Sequence, residues 1–594
     1  MHVIATAGHV DHGKSTLVHL LTGMEPDRWA EERRRGMTID LGFAWATLAG
    51  GATIAFVDVP GHERFLDNML AGIGPAPAVM FVVAADEGWK AQSAEHLTAL
   101  DALGVRHGVL VISRCDLAAP EPALAAARQE LASTSLEGIE SIAVSAATGA
   151  GIDDLRAALS RLVAALPPPQ VARPVRLWVD RAFTIHGAGT VVTGTLAAGT
   201  LAAGDRLAIA PGAHIARVRG LESLKTPVPE ARAVARVAVN LRHVPVNAVR
   251  RGSALLTPDA WETTNLIDVR AAAQLPPQVL VHIGSAAVAA RVRPFGTDVD
   301  RLTLASPLPL WIGDRLLLRD PGSRRIVGAT VLDVRPPELR RRGDGALRRA
   351  ELDLMTGRPD PESELRRRRV VRVADLRRMG CPPPSGVAPL AGGWLIHPEY
   401  RDALRAQLAT EIDSYAALHP LEPGLPEEDA RQRLGLPDRR LLEAVVSAPI
   451  VAADGRVLKA TTRDSLPADV ASSVEAILAE LSASPFAAAD ASRLAALGLT
   501  PAKLAAAVRV GSLLRVADGV YLAPDAPSLA VQRLAELPQP FTVSDARRAL
   551  ATSRRVAVPL LELLDRADLT RRVDDLHRRV AGEPQPPRPL PESI

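Results

Sequence analysis

Residues 8–15 read Gly-His-Val-Asp-His-Gly-Lys-Ser, with Thr16 following. The spacing Gly-x-x-x-x-Gly-Lys-Ser is that of a phosphate loop, and it dictates its surroundings: a strand must precede it and a helix must follow. Both are legible. Val3, Ile4 and Ala5 make an apolar run before it, and Leu17, Leu20 and Leu21 fall at helical spacing after it. Gly8 and Gly13 let the backbone curl so that the N–H groups of His9, Val10, Asp11, His12 and their successors to Thr16 point at a phosphate chain. The helix N-terminus behind them favours negative charge. Lys14 is placed to reach the outer phosphates and Ser15 to ligate Mg²⁺. Of the chain's 70 Lys+Arg only five are lysines, and one stands where the motif requires it. The two loop histidines read as packing groups, since backbone amides do the binding.

Further elements follow in fixed order. Arg35-Gly36-Met37-Thr38-Ile39-Asp40 is a polar, helix-breaking stretch in which the Thr38 hydroxyl would ligate Mg²⁺ only while a γ-phosphate holds the loop closed. Asp58-Val59-Pro60-Gly61-His62 ends an apolar strand. Its Asp58 would hold the metal, its Gly61 N–H would bond a γ-phosphate oxygen, and His62 would lie beside the attacking water as the catalytic residue. Val10 and Met37 are read as an apolar gate that keeps His62 out until it is needed. After the strand 108–112 comes Ser113-Arg114-Cys115-Asp116. Asp116 can accept from guanine N1 and the exocyclic amine, selecting GTP over ATP, and the loop Ser145-Ala146-Ala147 would offer an N–H to the guanine oxygen.

The remaining sequence divides by pattern. Over 1–168, apolar runs (Ala52–Val57, Val79–Ala84, Ser141–Val144) alternate with helical ones (Gln92–Leu103, Pro122–Leu131), a doubly wound α/β pattern closed by Pro167-Pro168-Pro169. Short alternating strands follow, and the break from Pro258 to Thr264 predicts two β-barrels, 172–257 and 258–340. The region 341–594 is mainly helical and repeats a helix, a tight turn, a second helix and a hairpin, at 434–458, 497–522 and 550–573, with a poorer fourth copy over 365–420. That is the pattern of tandem winged helices, the last module at about 536–583. Arg340 to Arg342 and Arg366 to Arg369 read as solvated helix faces or linker.

Composition sets outer limits. A net charge of +3 does not by itself indicate a nucleic-acid partner. Two cysteines, Cys115 and Cys381, exclude a disulfide framework or a cysteine-rich zinc site. No run of about 18 apolar residues would span a membrane, and a core strand begins the chain where a signal peptide would stand. A cytoplasmic monomer is expected.

With these elements in order, the first 168 residues resemble translational GTPases of the elongation factor Tu class. The departure lies in the base-reading loop, where the family pattern Asn/Thr-Lys-x-Asp is met only by Asp116. Ser113 and Arg114 replace side chains that brace the phosphate loop and cover the base, and Arg114 is expected to stack on guanine. The runs 7–15, 35–42, 58–65 and 180–195, with Thr552-Ser553-Arg554-Arg555 and Leu569-Thr570-Arg571-Arg572, are similar to the selenocysteine-specific elongation factors. That resemblance implies GTP and Mg²⁺, selenocysteinyl-tRNA, the ribosome at a UGA codon, and an mRNA hairpin gripped by the tail. It implies that Asp180, Arg181 and Arg236 line the aminoacyl pocket. Two guanidiniums there would favour a selenolate over a neutral serine hydroxyl. Arg554, Arg555, Arg571 and Arg572 would contact RNA phosphates. Two other readings stay open: a different tRNA-delivery GTPase with an unrelated RNA-binding tail, and a GTP-independent RNA-binding protein with a decayed nucleotide site.

Overall fold

The computed structural model describes all residues except 27–37, 39, 63–64, 188, 213, 463–464 and 582–594. The chain divides into two units, Met1–Gly386 and Val387–Ile594. Residues Arg35 to Met37 and Ile39 of the first switch motif, with the Met37 half of the expected gate, lie outside the described residues.

The first unit begins with a six-stranded sheet in the order β2-β3-β1-β4-β5-β6: β1 His2–Ala7, β2 Gly42–Thr47, β3 Thr53–Asp58, β4 Ala78–Ala84, β5 His107–Ser113 and β6 Glu140–Ala143. All neighbours are parallel except β2 with β3. Helices cover both faces, so the central strands read as unbroken apolar runs; all seven residues of β4 are buried. Because the strands are parallel, their carboxyl ends gather at one edge, and the loops there carry the phosphate, metal and base motifs. Gly8 is fixed by close approach as well as by its φ of 127°: a Cβ there would stand 2.1 Å from the Val82 carbonyl oxygen of β4.

Strands between Arg176 and Leu256 form an antiparallel sheet around a core that includes Leu177, Val192, Val218 and Val239. Alternation is clean where one face meets that core, as in Ala235–Arg242. Six strands from Glu262 to Asp333 then close into a second barrel. Trp261 and Trp311 of the second barrel stack with ring centroids 3.9 Å apart, and the Trp261 Nε1–H donates to the Val175 carbonyl of the first at 2.9 Å. Arg176 lies over Trp261 and donates to both carboxylate oxygens of Asp314, at 2.5 and 2.7 Å.

Of the arginines read as solvated, Arg340 to Arg342, Arg366 and Arg369 are exposed, but Arg367 and Arg368 are drawn onto the barrel, as is Arg348. Helix Asp344–Leu354 inserts Arg348, 1% exposed, between Asp268 and Asp333 of the barrel, both at 0%. Arg367 and Arg368 of helix Pro361–Arg368 close on the same Asp333 at 2.6 and 2.7 Å, while Arg301 pairs Asp268. Desolvation by itself would raise the Asp333 carboxyl, but three guanidiniums outweigh it and hold it well below the usual carboxylate range. Arg340 remains exposed beside Glu338.

Among its described residues the second unit holds three winged helices. Each pairs two short helices with a hairpin: Glu427–Arg433 and Arg439–Val445 with Ile450–Ala453 and Arg456–Lys459; Ala491–Ala496 and Pro501–Arg509 with Leu514–Ala517 and Val520–Leu522; Val543–Ala549 and Arg554–Arg566 with Thr570–Arg572 and His577–Val580. Equivalent turns put Gly435, Gly498 and Ala551 in the left-handed region, at φ 65°, 64° and 48°. Thr542 and Asp545 form a capping box at the start of the third module. Over 365–420 the described residues run as strand Val370–Arg372, helix Val373–Arg378, strand Trp394–Ile396 and helix Pro398–Leu418, an order different from the helix, turn, helix and hairpin of the other three. Among the described residues no helix is long and apolar enough to cross a membrane.

Asp333→Ala would leave the buried Arg348 and the partly buried Arg367 and Arg368 without their shared carboxylate, and is expected to cost about 3–5 kcal/mol in denaturant unfolding of the first unit. Because the folded carboxyl titrates below its unfolded value near 4, the wild-type contribution is complete above about pH 4 and fades as pH falls further. The variant should lose that acid sensitivity.

Candidate functional site

The loops at the sheet's carboxyl edge enclose a cavity of about 800 Å³, lined by Val10, Asp11, Gly13 to Thr16, Thr38, Gly61, Ser113, Arg114, Asp116 and Ala146, among others. Sequence motifs spread over more than 130 residues thus meet at one place. Four predicted residues support this wall from behind. Gly8 packs on β4 and His12 is fully buried. Asp58 is fully buried at the end of β3, and the Ser145 hydroxyl donates to Asp116 at 2.6 Å, fixing the carboxylate that would read the base. The Ser145 N–H is used by the Ala150 carbonyl, so Ala146 and Ala147 are the loop residues that face the cavity.

The phosphate end is organised around Lys14. Its ammonium donates to the carbonyls of Gly8 at 3.1 Å and His9 at 2.6 Å. Burial lowers its pKa to about 8, against the opposing pull of Asp58 and Asp11. Gly61 backs directly on this group: a Cβ there would lie 2.6 Å from the Val10 nitrogen and 2.7 Å from Lys14 Nζ. Only glycine brings the second switch this near the phosphate loop. His62 follows, partly buried, its ring tilted toward Phe65 with centroids 6.1 Å apart.

Three oxygens stand ready for a hard cation. Ser15 Oγ donates to Asp58 Oδ2 at 2.6 Å and lies 3.0 Å from Thr38 Oγ1. Burial raises the Asp58 carboxyl above its ordinary value, although hydroxyls from Ser15 and Thr6 hold it down in part. Two hydroxyls and a carboxylate fit Mg²⁺, which takes oxygen ligands and keeps several waters.

Several supports had no motif to announce them. Gln92 and His96 sit four residues apart on helix Ala91–Leu103 and therefore share a face. Gln92 Oε1 accepts from the Val10 N–H at 3.1 Å, and His96 Nδ1 accepts from the Gly8 N–H at 3.1 Å. Burial pushes the His96 pKa down to about 3, so its ring is neutral and Nδ1 is free of a proton to accept that bond. The base-reading loop also braces the phosphate loop in spite of its altered sequence. Ser113 Oγ donates to the His12 carbonyl at 2.7 Å, and Arg114 donates to the Asp11 carbonyl. Arg114 further pairs Asp86 at 3.1 Å and Glu87 at 2.9 Å, so its guanidinium is held as a clamp between loops, where stacking on the base was expected.

A second cluster lies where the first barrel meets β2. Arg236 makes a two-pronged pair with Asp180, whose Oδ1 also accepts from Thr193 Oγ1 at 2.6 Å. Arg181 pairs Asp40 at 3.0 Å and donates to the Leu41 carbonyl. The Phe43 ring lies against both cations, 3.8 Å from the Arg236 guanidinium carbon and 5.1 Å from that of Arg181. In the third winged helix, Arg554 and Arg555 begin the second helix and Arg571 and Arg572 stand on the wing, all four exposed. Arg555 reaches the Gly519 carbonyl of the preceding module at 2.6 Å. Arg579, exposed and directly opposite Arg571, was missed in the sequence, and Arg578 turns inward to Asp565 at 2.8 Å.

Lys14 gives a direct check on the phosphate site. At pH 9 its amine is mostly neutral before nucleotide binds, and a bound diphosphate would restore its charge. GDP binding at pH 9 should therefore take up close to one proton, and at pH 6.5 Lys14 should contribute none. Calorimetry in buffers of different ionisation heat reads the difference.

Family models match in chain order. Residues 1–165 match the elongation factor Tu GTP binding domain, 189–256 elongation factor Tu domain 2, 264–338 the β-barrel domain of the selenocysteine-specific elongation factor, and 532–579 the winged helix of elongation factor SelB. The selenocysteine-specific elongation factor of Desulfomicrobium baculatum is 31% identical over 635 residues, covering 96% of this chain and 98% of that protein. That of Escherichia coli K12 is 33% identical over 458 residues, 73% of each chain. The crystal structure of a bacterial selenocysteine-specific elongation factor, EF-Sec, superposes with a TM-score of 0.76 at 26% identity, covering 98% of this chain and 100% of that one. With a relative matched over nearly its whole length and models spanning the nucleotide domain, both barrels and the last winged helix, the chain belongs to the selenocysteine-specific elongation factors, a family of translational GTPases.

Proposed function

We propose that this GTPase carries selenocysteinyl-tRNA to the ribosome at UGA codons in the cytoplasm, while its last winged helix holds an mRNA hairpin. The observation that carries the reading is the pair of guanidiniums beside β2 of the nucleotide domain, Arg236 held by Asp180 and Arg181 by Asp40. An anionic selenolate gains from that field, and a neutral serine hydroxyl does not. Dissociation is tied to the nucleotide because the strand at this pocket continues directly from Thr38 and Asp40.

Hydrolysis would draw on the residues lining the cavity. Lys14 and the loop amides would hold the outer phosphates, and the Gly61 N–H would bond a γ-phosphate oxygen. Mg²⁺ held by Ser15, Thr38 and Asp58 would neutralise charge on the β- and γ-phosphates. His62 then orients the water that attacks the γ-phosphorus as GDP leaves. Once phosphate departs, Thr38 loses its reason to face the nucleotide, and the pocket that follows it relaxes. Asp116, steadied by Ser145, selects guanine.

The wing supports RNA contact on energetic grounds. Arg571 and Arg579 face each other across a two-stranded hairpin, an arrangement in which like charges are destabilising. Phosphates of an RNA hairpin would relieve that repulsion.

In reconstituted translation, selenocysteine incorporation at UGA should require GTP and a downstream hairpin; incorporation that ignores the hairpin would contradict the proposal. His62→Ala should retain GTP and tRNA binding yet hydrolyse GTP at least about 100-fold more slowly on ribosomes. Normal ribosome-stimulated hydrolysis by that variant would remove His62 from the mechanism. Arg571→Ala with Arg579→Ala should weaken hairpin binding and lower its salt slope by roughly one unit for each phosphate that is no longer neutralised.

A further inference from the structure

Asp40 stands between the two sites. It is two residues beyond Thr38, the hydroxyl 3.0 Å from Ser15, and it opens the stretch leading into β2. Its carboxylate reaches across to the first barrel, where it pairs Arg181 at 3.0 Å and Arg251 at 3.4 Å. Arg181 is one of the two cations of the pocket, and the other, Arg236, is already matched by Asp180. Side-chain exposure here is low, 16% for Arg181 and 23% for Asp40, so the pairing is felt more strongly than on an open surface. Phe43, three residues further on, keeps both guanidiniums in register against its ring. In this arrangement each pocket arginine has a carboxylate, and the field an anionic side chain would meet is largely cancelled.

We propose that Asp40 is a nucleotide-controlled counter-ion of the aminoacyl pocket and so a specificity-determining residue. With Thr38 Oγ1 3.0 Å from Ser15 Oγ, Asp40 lies on Arg181 and masks it. When the metal and γ-phosphate engage Thr38, Asp40 is drawn with it, and Arg181 becomes available to a selenolate. The nucleotide thereby sets selectivity for the anionic aminoacyl group in addition to overall tRNA affinity. The inference rests on the reading of Asp180, Arg181 and Arg236 as the aminoacyl pocket and of Thr38 as a metal ligand.

The test uses the full chain with selenocysteinyl- and seryl-tRNA, each with GDP and with a non-hydrolysable GTP analogue. Asp40→Asn keeps the size of the side chain and removes its charge. It should bind selenocysteinyl-tRNA about tenfold more tightly than wild type in the GDP state, with seryl-tRNA unchanged and the GTP-analogue state like wild type. Asp40→Glu, which keeps the charge, should resemble wild type throughout, and GDP affinity should be the same in all three. If wild type prefers the selenocysteinyl form with the GTP analogue but Asp40→Asn gains nothing with GDP, the counter-ion role is wrong and the pocket stands. If wild type does not discriminate between the two tRNAs, the pocket reading fails and the inference falls with it. An equal loss for both tRNAs in both states would mark Asp40 as a structural contact between domains and overturn the proposal.

Discussion

The Asp58 carboxylate, fully buried at the end of β3, is the interaction on which the rest of the nucleotide domain depends. One oxygen accepts from Thr6 of β1 at 2.7 Å and the other from Ser15 of the phosphate loop at 2.6 Å. Thr6 Oγ1 in turn accepts from the Val59 N–H at 3.0 Å, which sets the path of the chain into Gly61 and His62. Ser15 meets Thr38, and from Thr38 the chain runs through Asp40 to the barrel arginines. A buried carboxylate is costly unless its lone pairs find partners. Asp58 meets that demand with groups that a nucleotide and its metal would rearrange.

The nucleotide site was legible because its chemistry is local. A phosphate loop needs particular residues at fixed spacing on a strand, turn and helix, and those residues cannot be substituted freely. The parallel strands were legible too, since burial on both faces leaves unbroken apolar runs such as 78–84. Gln92 and His96 were not. Their role depends on which way one helix face points after the sheet has formed, and nothing in a glutamine or histidine four residues apart announces it. Ser113 and Arg114 looked like losses by pattern, yet a short hydroxyl reaches the His12 carbonyl and a long guanidinium reaches the Asp11 carbonyl. The brace survives by geometry.

Arginine was the hardest residue to read. The chain uses it for several jobs that share no sequence signature. Arg348, Arg367 and Arg368 bind buried carboxylates and fasten two helices to the second barrel. Arg176 ties the barrels through an indole stack and Asp314. Arg181 and Arg236 meet carboxylates and a phenyl ring at a domain boundary. Arg571 and Arg579 stand exposed on a wing. Burial separates these cases, and burial follows from tertiary packing, which runs such as 366–369 do not reveal.

The central claim is that nucleotide state and aminoacyl charge are read together. The most direct measurement is the dissociation constant of the wild-type protein for selenocysteinyl-tRNA and for seryl-tRNA, each with a non-hydrolysable GTP analogue and with GDP. A strong preference for the selenocysteinyl form is expected, present with the GTP analogue and lost with GDP. Equal binding of the two tRNAs, or a preference indifferent to the nucleotide, would contradict it.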